Sequence, residues 1–302
     1  MNLSEDPKEI TAKVALNRLR KKLPYSWDLN IYRGCIHGCK YCFARYSHQY
    51  LKENSDNFFS DVFVKTNIAE VLDRELSSKN WKKEIINIGG VTDSYQALEK
   101  KYKIMRKVLK VILKHKNPII ISTKSDLILR DFDLISELSQ VACVNIACTI
   151  TTKDEKIRQK IEPQACSTEK RFKVLEQFKK TGASVGIHVM PVIPFITDNK
   201  ENLESIFQYA SHIEVDYLLP GTLYLRGDTR KYFLQFIKNE FPEIYGKYLY
   251  LYRQGGANRL YKNKLYKMIN NLRKKYQVSS NYMKPLQERM KKFKTGQLSF
   301  GF

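Results

Sequence analysis

Apolar positions along this chain fall into short continuous runs, separated by longer amphipathic stretches. Residues 9–22, E-I-T-A-K-V-A-L-N-R-L-R-K-K, place Ile10, Val14 and Leu19 at helical spacing before Pro24 and predict an N-terminal helix. D-L-N-I-Y-R-G (28–34) reads as a strand entering a glycine turn, and 66–76 as a helix capped by Thr66. E-I-I-N-I-G-G (84–90) is a strand, and 96–114 one long amphipathic helix. The rhythm repeats with strands at 118–124, 144–152, 185–192 and 215–221. Helices are expected at 131–138, at 167–182 between Ser167 and Gly182, and at 202–210. Six near-continuously apolar runs alternating with helices describe parallel strands covered on both faces. An open or partial (β/α) barrel is the economical arrangement, with a doubly wound sheet as the second. After Leu225 the rhythm stops and the remainder reads as helical.

Composition adds a direction to this outline. Lys and Arg number 53 against 31 Asp and Glu, for a net charge of +22. The excess is localised. Residues 226–302 hold 18 basic and 4 acidic residues, hence +14, and 15 of these 77 residues are Phe or Tyr. Cations interleaved with rings suit a polyanion that also has faces to stack on, so nucleic acid is the expected partner. The same rings at helical spacing would also serve as a core stripe closing the barrel. No run of eighteen apolar residues predicts a membrane span, and M-N-L-S-E-D-P-K-E-I lacks an apolar signal region, so a cytoplasmic protein is expected.

Three of the six cysteines lie within eight positions: Cys35, Cys39 and Cys42, spaced C-x3-C-x2-C. In a reducing compartment such clustering points to metal or catalysis before disulfides. His37 or His48 could complete a zinc site. Three thiolates on one loop also suit a four-iron, four-sulfur cluster that leaves one iron open for chemistry.

With an aromatic, Tyr41, just before the last Cys, the loop resembles that of the radical S-adenosylmethionine (radical SAM) enzymes. More narrowly, L-N-I-Y-R-G-C-I-H-G-C-K-Y-C-F-A-R (29–45) resembles the spore photoproduct lyase-like branch of DNA repair enzymes. So do T-D-S-Y-Q-A-L-E (92–99), T-K-S-D-L-I-L-R-D (123–131), I-E-P-Q-A (161–165) and M-P-V-I-P-F-I-T-D (190–198). The resemblance covers roughly residues 10–225. It implies an α/β chain built on a partial (β/α)6 radical-SAM barrel (29–225). An N-terminal helical extension (1–28) would precede it, and a basic, aromatic-rich helical C-terminal region (226–302) would follow.

The resemblance also implies a chemistry. Cys35, Cys39 and Cys42 would ligate a 4Fe–4S cluster whose open iron chelates S-adenosylmethionine, and a reduced cluster would cleave that cofactor to a 5′-deoxyadenosyl radical. Tyr41 would pack near the adenine, with Ile193 also against it. Gly89 and Gly90 would allow close approach of the methionine end. Thr92 would offer a hydroxyl, Lys124 a cation for the carboxylate, Thr149 and Thr151 contacts to the ribose, and Glu162 a contact to cofactor or substrate. These motifs follow predicted strands, where a (β/α) barrel builds its site. An electron donor such as a flavodoxin or ferredoxin would supply the reducing electron.

One departure stands out. The lyase has a cysteine, its hydrogen donor, two residues before the hydroxyl residue of the strand-two motif; here that position is Gly90. Tyr95 and Cys148 are the candidate replacements, with Tyr41 and Tyr46 behind them. Three functions follow from these readings: a radical enzyme on nucleic acid, a radical enzyme on a peptide or small molecule, and a non-catalytic Fe–S or Zn nucleic-acid-binding protein.

Overall fold

The computed structural model describes residues 7–19, 23, 25–51 and 54–296. Its strands are β1 (Lys8–Ile10), β2 (Leu16–Arg18), β3 (Trp27–Leu29), β4 (Tyr32–Arg33), β5 (Phe63–Lys65), β6 (Ile86–Ile88), β7 (Ile119–Thr123), β8 (Val144–Thr149), β9 (Ser184–Val192) and β10 (Tyr217–Thr222). The main sheet runs β10-β9-β8-β7-β6-β3-β2. From β3 to β10 every neighbouring pair is parallel and follows chain order, with β4 and β5 between β3 and β6 left to the second sheet. Only β2 is antiparallel, on the β3 edge. A second, three-stranded sheet has the order β1-β5-β4. The six-strand parallel arc is the expected partial barrel. It is an open sheet with distinct edge strands, β10 and β2.

Alternation along β7 shows how the two faces are used. Ile119 and Ile121 enter the main core, whereas Ile120 turns to the other face and meets Cys143 and Leu286. Leu286 belongs to the last helix, Met283–Gly296, so this C-terminal element is packed against the parallel sheet. Burying each such aliphatic side chain contributes about 1.5–3 kcal/mol relative to exposure.

The N-terminal helix expected over 9–22 is not formed. Residues 8–10 and 16–18 are strands, and 20–22 lie outside the described residues. Distant side chains satisfy the backbone here: Asn67 exchanges two hydrogen bonds with Ala12 (2.7 and 3.0 Å), and the Glu75 carboxylate accepts from the Ala15 and Leu16 N–H groups (2.8 and 2.9 Å). Val14, placed on the apolar stripe by helical spacing, is 58% exposed. The same contact explains why the helix Ile68–Leu76 begins at Asn67 rather than at Thr66 and lacks a side-chain cap: that amide is committed to Ala12.

The long helix over 96–114 is broken. Lys103, at φ 50°, separates Glu99–Tyr102 from Ile104–His115. Glu99, fully buried, accepts from the Ile104 and Met105 N–H groups at 3.1 and 2.9 Å, so it caps the second helix across the break. Beyond β10 come the helices Asp228–Glu240, Pro242–Leu251 and Arg259–Tyr276, then the last helix. Their aromatics divide between two tasks. Phe233, Tyr248 and Tyr252 are fully buried, the two tyrosines donating to the Pro194 and Leu223 carbonyls at 2.6 and 3.0 Å, whereas Tyr250 is 70% exposed. No described helix is long and apolar enough to cross a membrane.

Candidate active site

A cavity of about 880 Å³ opens at the carboxyl ends of the parallel strands. The loop after β3 and β4 brings Cys35, Cys39 and Cys42 to its wall. Gly89 and Gly90 come from the end of β6, Lys124 from β7, Thr149 from β8 and Met190 from β9. This is where the barrel rule places a site.

The cysteine loop is held from several sides. Gly34 and Gly38 take φ of 87° and 67°, a region that suits glycine, and a Cβ on Gly34 would meet the Asp61 carbonyl at 2.6 Å. The Thr92 hydroxyl donates to the Gly34 carbonyl at 2.6 Å, and Gln96 takes the Ile36 N–H at 2.9 Å. Thr92 thus fixes the loop as well as lining the cavity. From the C-terminal region the Thr229 hydroxyl donates to the Cys42 carbonyl at 3.1 Å. Burial pushes the Cys35 thiol up to about 12, with Asp93 adding to it, and raises Cys39 and Cys42 as well.

Asp93 organises the next wall. It accepts from the Lys124 N–H (2.7 Å), the Thr123 hydroxyl (2.8 Å) and the Tyr95 N–H (2.9 Å), and His37 Nε2 lies 3.0 Å away. Burial opposes its charge, but His37, Lys124 and these donors outweigh it and hold the carboxyl well below the usual range. Lys124 shows the converse balance. Burial opposes the ammonium, yet the fields of Cys39, Glu162 and Asp93 raise its pKa. Its Nζ lies 6.0 Å from the Tyr41 ring centroid and makes no hydrogen bond or ion pair among the described residues.

Behind Tyr41 lies a fully buried ion pair that the sequence reading missed. Arg171 Nη1 is 2.5 Å from Glu162 Oε2, and both side chains are 0% exposed. Arg171 also donates to the Thr149 carbonyl (2.9 Å) and to the Cys166 carbonyl (2.7 and 3.0 Å). Glu162 Oε1 accepts from the Tyr41 hydroxyl and, at 3.2 Å, from Thr151. Burial disfavours the carboxylate, but Arg171 and Lys124 more than compensate and lower its pKa.

The other expected residues divide accordingly. Tyr41, Gly89, Gly90, Thr92, Lys124 and Thr149 line the cavity with the three cysteines. Glu162 and Thr151 do not line it; they support Tyr41 from behind. Strand β8 ends at Thr149, so the alternation that would have put Thr151 on the same face stops there. Ile193 is fully buried in the core cluster that holds Cys39 and Tyr41. The two candidate hydrogen donors are also away from the cavity wall. Tyr95 is fully buried and donates to Asp131 at 3.3 Å, and Cys148 is fully buried in the main core with its thiol pKa raised by burial. Among the earlier candidates Tyr41 and Tyr46 do line it. Gly90 has a steric reason as well: a Cβ there would lie 2.2 Å from the Asp28 Oδ2 atom. The Asp28 carboxylate, tied to Asn87 at 2.7 Å, fills the space a cysteine side chain would need.

A six-strand parallel arc with a three-cysteine loop and a half-buried lysine at its strand ends is the arrangement of cofactor-dependent enzymes of the partial-barrel class. Residues 29–209 match the sequence model of the radical SAM superfamily, and the chain belongs to that family. A Mycobacterium tuberculosis (strain H37Rv) protein called uncharacterized is 33% identical over 250 residues, 82% of this chain and 74% of its own. A Methanocaldococcus jannaschii protein, also called uncharacterized, is 30% identical over 197 residues, covering 63% of this chain and 72% of its own. A spore photoproduct lyase variant solved with bound AdoMet and dinucleoside spore photoproduct superposes with a TM-score of 0.63. That match covers 89% of this chain and 78% of the lyase at 9% identity, so it shows a shared fold.

Membership in this family implies a 4Fe–4S cluster and S-adenosylmethionine. The residues present fit both. Among the described residues no three His, Cys, Asp or Glu side chains gather about a point suited to one metal ion. A cluster asks for something else, one Cys on each of three irons, and three thiols lining one cavity suit it. The uncommitted Lys124 ammonium and the backbone of Gly89 and Gly90 on the same cavity fit an amino-acid carboxylate and amine.

Proposed function

We propose that this chain is a radical SAM enzyme that takes a hydrogen atom from nucleic acid, in repair or modification of a base or sugar. Cys35, Cys39 and Cys42 would hold the cluster, and Lys124, with Gly89 and Gly90, the methionine end of the cofactor. Bound there, such a cluster and cofactor would supply a 5′-deoxyadenosyl radical by reductive cleavage of the sulfonium. The protein's part is positional. Arg171 fixes Glu162, Glu162 fixes the Tyr41 hydroxyl, and the Tyr41 ring forms one wall. Asp93 fixes the backbone from which Lys124 reaches in. The observation that carries the reading is the meeting of three loop cysteines and an uncommitted, half-buried lysine on one cavity at the strand ends.

The chain organisation in this reading is a barrel over 29–225, its first strand beginning just before at Trp27, with an extension (1–28) that adds β2 to the sheet edge and a basic region (226–302) whose first residues close one side of the site. Nucleic acid is favoured by the +14 charge of that region. The test is isotope transfer. Deuterium passing from a deuterated polynucleotide into 5′-deoxyadenosine is the expected result. Transfer only from a deuterated peptide, or from neither, would contradict it.

A further inference from the structure

The cavity is also lined by side chains other than those assigned above to the cluster and cofactor. Phe43, Tyr46 and Tyr224 all line the cavity, yet are 62%, 43% and 57% exposed. Large rings are ordinarily drawn into a core. Phe43 and Tyr46 sit three apart on the 3-10 segment Phe43–Leu51, whose i, i+3 positions eclipse, with ring centroids 6.4 Å apart and 26° between planes. Tyr50, 75% exposed, continues the row edge-on at 6.1 Å.

The row is presented by an anchored backbone. Arg45, between the two rings in sequence, is buried and lies over Phe59 and Tyr232 at 4.3 and 4.1 Å. On the other side, Tyr224 rests on the chain at Gly255 and Gly256. A Cβ on Gly256 would meet the Tyr224 ring at 3.3 Å and Lys262 Nζ at 3.6 Å. Arg226, two residues on, is exposed and lines the cavity, and neither it nor Lys262 has an acidic partner among the described residues. The acids near the mouth are already engaged: Asp228 with Ser55 (2.9 Å) and Gln49 (3.3 Å), and Asp93 as described.

We propose that this mouth binds an unpaired nucleotide, its base stacked against Tyr46 or Tyr224 and its phosphates met by Arg226 and Lys262. The proposal rests on the nucleic-acid reading above and names the form of the substrate. Rings beside cations offer one surface a face on which a base can stack and a counter-charge for its phosphate. A base inside a duplex has both faces covered by its neighbours and cannot lie on an aromatic wall until it is extruded.

The test uses the full cluster-loaded chain and a fluorescent mixed-sequence strand of about fifteen nucleotides, as DNA, as RNA and as duplex. Tight binding of either single strand, at least about tenfold tighter than the duplex, is expected. At least one of Tyr46→Ala and Tyr224→Ala should weaken it about 5- to 150-fold, the range produced by removing a stacking ring. Tyr46→Phe and Tyr224→Phe should keep it, and Tyr250→Ala, an exposed ring away from the cavity, should stay within about twofold. Arg226→Ala should make the salt dependence shallower by about 0.7 in log–log slope. Equal affinity for duplex, or alanine variants with intact cluster absorption that bind like the parent, would overturn the proposal and leave the nucleic-acid reading standing. Absence of salt-dependent binding to any of the three would overturn both.

Discussion

Arg171→Met is the sharpest probe of how the site is held together. Arg171 and Glu162 are both 0% exposed and 2.5 Å apart, so removing the cation leaves a carboxylate with no access to water. Breaking a buried pair in this way costs about 3–5 kcal/mol. The unfolding entropy of a 302-residue chain, at about 2.1 cal/mol/K per residue, is about 0.6 kcal/mol/K, so Tm should fall by about 5–8 °C. Glu162→Gln added to Arg171→Met should recover part of the loss, because the stranded charge is gone.

The pH profile gives a second, independent reading. In the parent the Glu162 pKa lies below its ordinary 4.5, so its contribution is full above pH 4.5 and is lost as pH falls through the lowered value. Without Arg171, burial should carry that pKa above 4.5. The variant's Glu162 contribution is then present below 4.5 and lost as pH rises through the raised value. The gap between parent and variant should therefore be widest near pH 7 and narrow toward pH 5. Differential scanning fluorimetry of anaerobically reconstituted protein across that range reads both effects. A Tm within about 2 °C of the parent, or a gap independent of pH, would refute the account of this pair.

Other substitutions test the remaining walls. Lys124→Ala should leave the cluster intact and weaken S-adenosylmethionine binding about 10- to 150-fold, the worth of one charge-assisted hydrogen bond; unchanged affinity by titration calorimetry would count against its role. Gly90→Ala sets a Cβ against the Asp28 carboxylate and should destabilise the chain by about 1–3 kcal/mol in urea melts. Adding Asp28→Ala should recover part of that loss, and a single variant as stable as the parent would contradict the packing. Cys39→Ala should remove the cluster signal from the electron paramagnetic resonance spectrum of the reduced protein, and a retained signal would refute the ligand assignment.

The alternating strand–helix plan was legible because parallel strands buried on both faces leave continuous apolar runs, as Ile119, Ile120 and Ile121 do. The N-terminal error has the opposite cause. Strands of three residues carry almost no period, and the groups that fix them, Asn67 and Glu75, are some sixty positions away. At the site, the compact spacing of Cys35, Cys39 and Cys42 and the strand-end place of Lys124 were readable in one dimension. Arg171 was not, because its sequence, E-K-R-F-K, reads as the solvated face of a basic helix. Only the fold turns that one cation inward onto Glu162. Tyr95, Cys148, Ile193 and Thr151 failed to line the cavity for a related reason: sequence puts a residue near a strand end without saying toward which face it points.

The central claim, radical chemistry at the three-cysteine loop, is met most directly by one anaerobic measurement on the whole chain. Iron and sulfide are counted after reconstitution, and products are then analysed after adding dithionite and S-adenosylmethionine. The account predicts about four irons and four sulfides per chain, with 5′-deoxyadenosine and methionine formed. A chain that assembles no such cluster, or that assembles it and leaves the cofactor whole, would contradict it.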